Sequence, residues 1–319
     1  MTPEMFRYTL KRLWLGVIIV SLAMMMLFAM IYLIPGDPAS VALGPRATPA
    51  MVEALRARMG LDQPIWMQFV HFYGSALRGD LGTEVLSGRP VLTVVMEQLP
   101  FTLALIGGGI SWSVLLGIPL GCMAAVKRGG FVDRVVGVLS VAVIAVPSFV
   151  VAIYSLLIFA VALEWLPAIG AGEPGNLSSQ LEHLILPSLA VGIGWVGYIA
   201  RMVRASMLET LEASHIRTAR AFGLTDRRIT YSYALRIAIL PTVTVLGIGI
   251  GQMLSSAVFA EIVFARPGIG KLVYEAISVR NYPIVTGALL VTTILFVFIN
   301  VLADVVIGVL DSRVRSSFN

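Results

Sequence analysis

Residues 209–241 read ETLEASHIRTARAFGLTDRRITYSYALRIAILP, and they form a long polar segment between two strongly apolar stretches. The segment ends in Pro241, which opens the next apolar run. Its five arginines are Arg217, Arg220, Arg227, Arg228 and Arg236. A loop of this length and pattern between apolar runs predicts a docking site for another molecule.

The composition predicts an integral membrane protein. Of the 319 residues, 58% are hydrophobic and 13% are charged, whereas soluble domains are nearer half apolar and about a quarter charged. The mean hydropathy is +0.90. The net charge is +5. In a membrane protein the excess of basic residues is typical of cytoplasmic loops, so no nucleic-acid partner is expected. The single cysteine, Cys122, excludes a disulfide framework.

Six apolar windows reach the length of about 20 residues that a membrane-spanning helix needs. They are residues 13–33, 100–125, 135–163, 184–202, 237–264 and 284–310. The first is too long for a signal-peptide core and predicts an uncleaved helix. Pro119 and Pro147 are predicted to kink spans two and three. We therefore expect an all-α membrane protein with about six transmembrane helices.

The loop charges predict the orientation. One set of loops carries most of the 23 lysines and arginines, and it includes both chain ends and residues 209–236. The positive-inside rule places this set, and so both termini, in the cytoplasm of a bacterial inner-membrane protein. The predicted organisation is an N-terminus with helix 1 (residues 1–34), an extracytoplasmic segment (35–99) and a core with helices 2–6 (100–319).

The external segment is predicted to be helical. In TPAMVEALRARMGL, Thr48 fits a helix N-cap and Gly60 fits a stop signal. The following stretch, WMQFVHFYG, carries aromatic residues at helical spacing, which favours interfacial anchoring or packing over a ligand site. Glycine clusters at 107–109, 192–197 and 247–251 predict close packing between helices.

The sequence offers no catalytic or metal site. GIGK at residues 268–271 resembles part of a phosphate loop, but Ala265 and Leu272 do not fit that motif. The three histidines fall in loops on different sides, so no histidine path crosses the membrane. One carboxylate, Asp304, lies well inside a span, one helical turn after Asn300. Pairing of these two residues favours a structural role, while a functional one stays open. Glu261 falls near the outer end of span five.

Residues 209–241 are predicted to form a helix, a glycine turn and a second helix. Gly223 fits a left-handed helix cap, and Asp226 fits the N-cap of the helix that continues into span five. An amphipathic helix on anionic lipid is one interpretation. The small residues and the break at Gly223 favour a protein groove, because they permit close approach at a set angle.

This segment resembles the EAA loop of ABC-importer permeases, which docks on a cytoplasmic ATPase. Ala219, Gly223, Leu240 and Pro241 match the pattern, whereas Arg217 departs from its first position and the spacing to Pro241 is longer. SHIRTARAFGL and ALRIAILP are typical of the dipeptide, oligopeptide and nickel subfamily. Further similar stretches, from IPGDPA to FARPGIGKLVYEAI and RNYPIVTG, cover nearly the whole chain. They resemble the first, B-type, permease subunit.

The resemblance implies a type I ABC importer permease fold and a transport subunit without enzymatic activity. The implied partners are a second homologous permease, two ATPases that bind ATP and Mg²⁺, an extracytoplasmic solute-binding protein and membrane lipid. The residues implied in ATPase coupling are His215, Ile216, Arg217, Thr218, Ala219, Arg220, Ala221, Phe222, Gly223, Leu224 and Pro241. Those implied at the outer gate or binding-protein contact are Glu261, Arg266, Pro267, Gly268 and Gly270.

The rival class is a secondary transporter or channel that acts without an ATPase. It would favour intramembrane charge pairs, and the sequence offers only Asp304. The substrate classes implied by the subfamily are dipeptides, oligopeptides, glutathione, opines and nickel chelates. The sequence does not choose among them, since the separate binding protein largely selects the solute.

Overall fold

The protein is described here by a computed structural model that covers residues 3–33, 38–43, 47–58, 62–84 and 87–310. In these residues the chain is almost entirely helical, with one isolated bridge between Thr83 and Pro90. The all-α architecture predicted from the apolar windows is therefore confirmed. The long helices are rich in Leu, Val, Ile and Ala. The helical conformation keeps the backbone hydrogen bonds within each segment, as a lipid environment requires.

The helices follow one another along the chain. The first four are α1 (Pro3–Leu33), α2 (Pro38–Leu43), α3 (Pro49–Arg58) and α4 (Ile65–Leu77). Next come α5 (Val91–Val126), α6 (Phe131–Ala145), α7 (Ser148–Ser155, continued by a π-helical segment Leu156–Ala162) and α8 (Leu177–Glu212). The remainder are α9 (Ser214–Ala221), α10 (Asp226–Arg228), a π-helical segment Ile229–Ala234, α11 (Leu235–Ala238), α12 (Leu240–Val263), α13 (Ile269–Ser278) and α14 (Tyr282–Leu310).

Within the described residues, five helices are long and apolar enough to cross a membrane, or six if the bent pair α6 and α7 forms one span. The kink predicted at Pro147 is confirmed, because the chain bends by 100° between α6 and α7, and the bend divides residues 135–163 between two helices. Val146 is extended there, with φ −84° and ψ 123°, as a residue before proline prefers. Pro147 has no N–H to continue the helix. By contrast, α5 continues through Pro119.

Contacts divide the chain into two compact units. The first contains Met1–Tyr8, Phe101–Arg266 and Ile299–Asn319, and the second contains Thr9–Pro100 and Pro267–Phe298. The helices α1, α5 and α14 each contribute to both units. The division into residues 1–34, 35–99 and 100–319 stays a prediction.

In the second unit, the aromatic side chains of α4 pack on α1. The ring of Phe28 lies 5.3 Å from that of Phe69, and the hydroxyls of Ser21 and Tyr73 are 3.0 Å apart. These contacts confirm the packing interpretation of the aromatic stretch. Thr48 caps α3, since its Oγ1 accepts a hydrogen bond from the Met51 N–H at 3.3 Å. The predicted stop at Gly60 lies outside the described residues.

In the first unit, glycines bring α8 against α5 and α6. A Cβ atom added at Gly192 would lie 2.4 Å from the carbonyl oxygen of Gly109, and one at Gly197 would lie 2.6 Å from that of Ser140. No larger residue fits either crossing without moving a backbone. The packing role predicted for these glycines is confirmed.

Candidate functional site

The polar segment begins where α8 ends. Ala213 is extended, with φ −66° and ψ 152°, and it turns the chain into the short helix α9. The N–H groups of Ile216 and Arg217 donate to the Ala213 carbonyl at 3.1 and 3.3 Å. The segment is therefore a separate helix after a sharp turn and not a continuation of the long span.

One face of α9 is anchored inside the first unit. The side chain of Ile216 is fully buried, and Ala219 is 7% exposed. They belong to a hydrophobic cluster that joins residues of α5, α8 and the connection into α12. The buried members are Cys122, Ala125, Ile199, Val203, Met207, Ile216, Ala219, Ile229, Ala234 and Ala238, with Leu224 packed against them. The cluster links α9 mechanically to three elements of the same unit.

The opposite face of α9 is exposed and basic. Phe222, directly after the helix, is 82% exposed. The other exposed residues of this face are His215, Arg217, Thr218, Arg220, Ala221 and Gly223. A shallow neighbouring depression is lined by Thr225, Arg227, Arg228, Tyr231 and Ser232. An exposed phenylalanine among arginines is a feature of protein-binding surfaces, where aromatic residues and arginine are enriched.

Gly223 ends α9 as predicted. Its φ of +76° lies in the left-handed region that favours glycine. The Gly223 N–H donates to the carbonyl of Arg220 at 2.9 Å, and the Leu224 N–H donates to that of Ala219 at 3.2 Å. An added Cβ would meet nothing within 4 Å. Glycine is therefore required here by the backbone conformation and not by crowding.

The prediction that Asp226 caps the second helix is wrong. Thr225 holds the N-cap position without a side-chain hydrogen bond, and Asp226 is the first residue of α10. Its carboxylate lies 3.6 Å from the Arg220 guanidinium, and both side chains are exposed. An acidic residue is favoured at this position for two reasons. Its charge attracts Arg220, and it lies at the N-terminus of a helix, where a negative charge is stabilising. Farther on, Pro241 lies in the first turn of α12, where its missing N–H costs no helix bond.

The outer-gate candidates Glu261 and Arg266 lie inside the first unit. Glu261 has no exposed surface and accepts a hydrogen bond from the Thr102 hydroxyl at 2.7 Å. Glu261 lies in the last turn of α12, at the end of the predicted span five, and a protein donor compensates its buried carboxylate. Arg266 is 3% exposed, and its guanidinium lies 5.9 Å from the Phe101 ring centre. Burial lowers the pKa of Arg266 from its ordinary value, and nearby Glu261 opposes this shift.

The remaining gate candidates follow along the chain. Gly268 and Gly270 are buried, and Pro267 is half-buried. These residues belong to the second unit, at the start of α13. A role for the five residues in gating or in contact with a binding protein stays a prediction.

The intramembrane candidates Asn300 and Asp304 lie in α14. Asn300 is half-buried. The side chain of Asp304 lies outside the described part of the chain. Among the described residues, no group of three or more His, Cys, Asp or Glu side chains is placed to hold a metal ion.

One charged pair was missed by reasoning from the sequence. Asp133, in the first turn of α6, accepts hydrogen bonds from Nε and Nη2 of Arg204 in α8, the second at 2.8 Å. The Gly129 N–H donates to the same carboxylate at 2.9 Å. The sequence signal was an aspartate two residues before one predicted span, 135–163, and an arginine two residues after another, 184–202. Only the antiparallel packing of α6 and α8 brings the two together.

Comparisons with known proteins agree with this architecture. Residues 117–316 match the family described as "Binding-protein-dependent transport system inner membrane component", and residues 5–106 match its N-terminal counterpart. The "Probable peptide ABC transporter permease protein y4tP" of Sinorhizobium fredii is 37% identical over 97% of this chain and 99% of its own. The "Glutathione transport system permease protein GsiC" of Pectobacterium atrosepticum is 36% identical over 98% and 99%.

A solved structure shares the fold. The inward-facing MetNI methionine ABC transporter has a chain that aligns with a TM-score of 0.58 at 19% identity, over 69% of this chain and 97% of that one. An ABC importer works in general with an ATPase and an external binding protein. This chain belongs to the family of binding-protein-dependent transport system inner membrane components, and it is a multi-pass permease subunit of an ABC importer.

Proposed function

We propose that the chain is the first permease subunit of an importer for dipeptides, oligopeptides or related small solutes. The names of full-length relatives at 36–37% identity, a peptide permease and a glutathione permease, support this substrate class. The complete assembly contains a second homologous permease, two ATPases that bind ATP and Mg²⁺, and an extracytoplasmic binding protein. This subunit itself binds no cofactor.

The arrangement of α9 carries the proposal. The helix buries Ile216 and Ala219 in a cluster shared with three other elements, while it presents Phe222 almost fully to solvent. A side chain of this size gains free energy only when a partner covers it, because burial of a phenylalanine is worth about 1.5–3 kcal/mol. We assign the groove of an ATPase subunit as the partner surface, with Phe222 as the anchor and the arginines at the rim.

The same cluster suggests how coupling proceeds. A displacement of α9 by a closing ATPase acts on Ile229, Ala234 and Ala238, which lie in the connection to α12. Residues packed this closely transmit displacement, since a core has little free volume. Motion at Phe222 therefore reaches α12 through the segment that ends at Pro241. This step provides alternating access without any chemistry on this chain.

The orientation is part of the proposal. Arg128, in the loop before α6, donates to Glu212 at the end of α8 at 2.6 Å, so this loop and α9 lie at the same end of the first unit. The arginines clustered at this end support its placement in the cytoplasm, with both termini.

A matched pair of phenylalanines tests the coupling role. Phe222 is 82% exposed and Phe131 is 81% exposed, and both lie at this end of the first unit. In the assembly reconstituted with its binding protein, F222A should lower solute-stimulated ATPase activity at least about tenfold, the loss expected for an interface anchor. F131A should leave it within about twofold.

Two outcomes would reject the proposal. Equal stimulation in F222A and wild type would mean that this surface does not couple to an ATPase. Uptake by the purified chain alone, driven by an ion gradient, would favour the rival secondary transporter. Thermal stability of both variants serves as the folding control, because neither ring is buried.

A further inference from the structure

A second basic site lies in a groove between α6 and α8. It is lined by Asp133, Arg134, Gly137, Val141, Tyr198, Arg201, Met202, Arg204 and Ala205. This set is called the α6–α8 groove below. It is separate from α9 and contains none of the residues assigned to coupling or gating.

The groove is cationic at one end. It contains three guanidinium groups, those of Arg134, Arg201 and Arg204, and one carboxylate, that of Asp133. Asp133 already accepts from Arg204 and from the Gly129 N–H, so its charge is compensated inside the protein. Arg134 and Arg201 are exposed. The net charge offered to a ligand is therefore positive.

The other end of the groove is apolar. On both helices the lining residues change from basic to apolar in the same direction. On α6, Val141 lies seven residues beyond Arg134, which is about 10 Å along the axis. On α8, Tyr198 precedes Arg204 by six residues, and the antiparallel helix therefore places it at the apolar end too. The pair Asp133–Arg204 and the contact between Ser140 and Gly197 fix this antiparallel register.

Open space beside the backbone continues the groove. An added Cβ at Gly137 would meet nothing within 4 Å, and Val141 is 55% exposed. α8 is long and apolar enough to cross a membrane, and α6 is so if it forms one span with α7. In such a crossing, the apolar end with Val141 and Tyr198 lies toward the hydrocarbon, and the arginines lie toward the headgroups.

We infer that the α6–α8 groove binds an anionic phospholipid. The phosphate would be held by Arg134 and Arg201, with Arg204 held in place by Asp133, and one acyl chain would lie along Gly137 and Val141. Basic pockets between transmembrane helices recognise such headgroups, and each arginine near the surface contributes about a fivefold gain in affinity. A zwitterionic lipid gains less affinity from these arginines, because they repel the positive group of its headgroup.

Native mass spectrometry of the delipidated full-length chain tests this inference. The probes are phosphatidylglycerol and phosphatidylcholine with identical acyl chains. Wild type should bind phosphatidylglycerol more tightly. R134Q/R201Q should lose about thirtyfold in affinity for it and bind both lipids alike. R134K/R201K should keep the preference. R236Q is the control, since Arg236 is exposed and lies outside the groove.

Three results would overturn the inference. Wild type could bind both lipids equally, or R236Q could lose as much affinity as the double variant. The double variant could also keep its lipid preference while a protein subunit no longer co-purifies, which would make the groove a protein contact. Arg204 is left intact because it holds Asp133. If the double variant does not fold, the single variants R134Q and R201Q decide, with about fivefold expected for each.

Discussion

At the residue scale, the Asp133–Arg204 pair is a charged contact that joins two helices of the first unit. Asp133 is almost buried, and it joins the first turn of α6 to α8. D133N removes the charge that compensates Arg204. We expect a loss of about 1.5–3 kcal/mol in stability, since Arg204 loses a charged hydrogen-bond partner while 33% of its side chain is exposed. Thermal unfolding in detergent measures it.

The chain offers an exposed counterpart as a control. Arg128 and Glu212 form an ion pair whose side chains are 62% and 69% exposed. E212Q should cost about 1 kcal/mol or less, because water solvates both partners. If D133N and E212Q have equal effects, the buried pair does not hold α6 against α8.

Gly223 gives a second prediction at this scale. Its φ of +76° disfavours every residue with a Cβ, yet the surrounding space is open. G223V should therefore weaken the turn after α9 through backbone strain of about 1–2 kcal/mol and lower ATPase coupling. G223N should restore most of the activity, because asparagine tolerates the left-handed conformation. Equal loss in both variants would indicate a steric requirement instead.

The residue scale is also where the sequence was least informative. Gly223 could be predicted, since a glycine after an amphipathic stretch marks a helix end. Asp226 could not be placed correctly, because Thr225 and Asp226 both fit an N-cap by residue type. The hydrogen bond between buried Glu261 and Thr102, which is 159 residues away in sequence, could not be predicted either. Pairs this distant have no local signal.

At the element scale, α9 is held mainly by Ile216. Because its side chain is fully buried, I216A should leave a cavity and cost about 2–5 kcal/mol locally. We expect hydrogen exchange of the amides in α9 to accelerate at least about tenfold, as the helix detaches from its cluster more often. T218A is the control, since Thr218 is exposed on the same helix. Unchanged exchange in I216A would show that α9 is held by other contacts.

The elements were predicted unevenly from the sequence. Apolar windows located the long helices, because their length is set by the membrane. Pro147 predicted a kink in span three, but the apolar window could not show that the bend reaches 100° and divides the span into two helices, since α6 and α7 are both apolar. The π-helical segment Ile229–Ala234 was also hidden, because its residues suit an ordinary helix equally well.

At the scale of the whole molecule, the bent pair α6 and α7 decides how many times the chain crosses the membrane. If the pair forms one crossing, Lys127 before it and Ser178 after it lie on opposite sides. Both residues are exposed. We expect a membrane-impermeant maleimide to label S178C in spheroplasts and K127C only after permeabilisation. Labelling of both cysteines in intact spheroplasts would instead indicate a re-entrant hairpin.

Cys122 serves as the internal control for this experiment. It is buried in the cluster that anchors α9, so the parent chain should remain unlabelled in intact spheroplasts. The labelling pattern also tests the proposed cytoplasmic side, because the loop of Lys127 lies at the same end of the first unit as α9.

The central claim is that an ATPase subunit covers Phe222. Photo-crosslinking in native membranes tests it most directly, with a benzophenone side chain at position 222 in one variant and at position 131 in the other. The two positions have matched exposure. We predict a crosslink to an ATPase subunit from position 222, identified by mass spectrometry, and none from position 131. No ATPase crosslink from position 222 in an assembly that still transports solute would contradict the account.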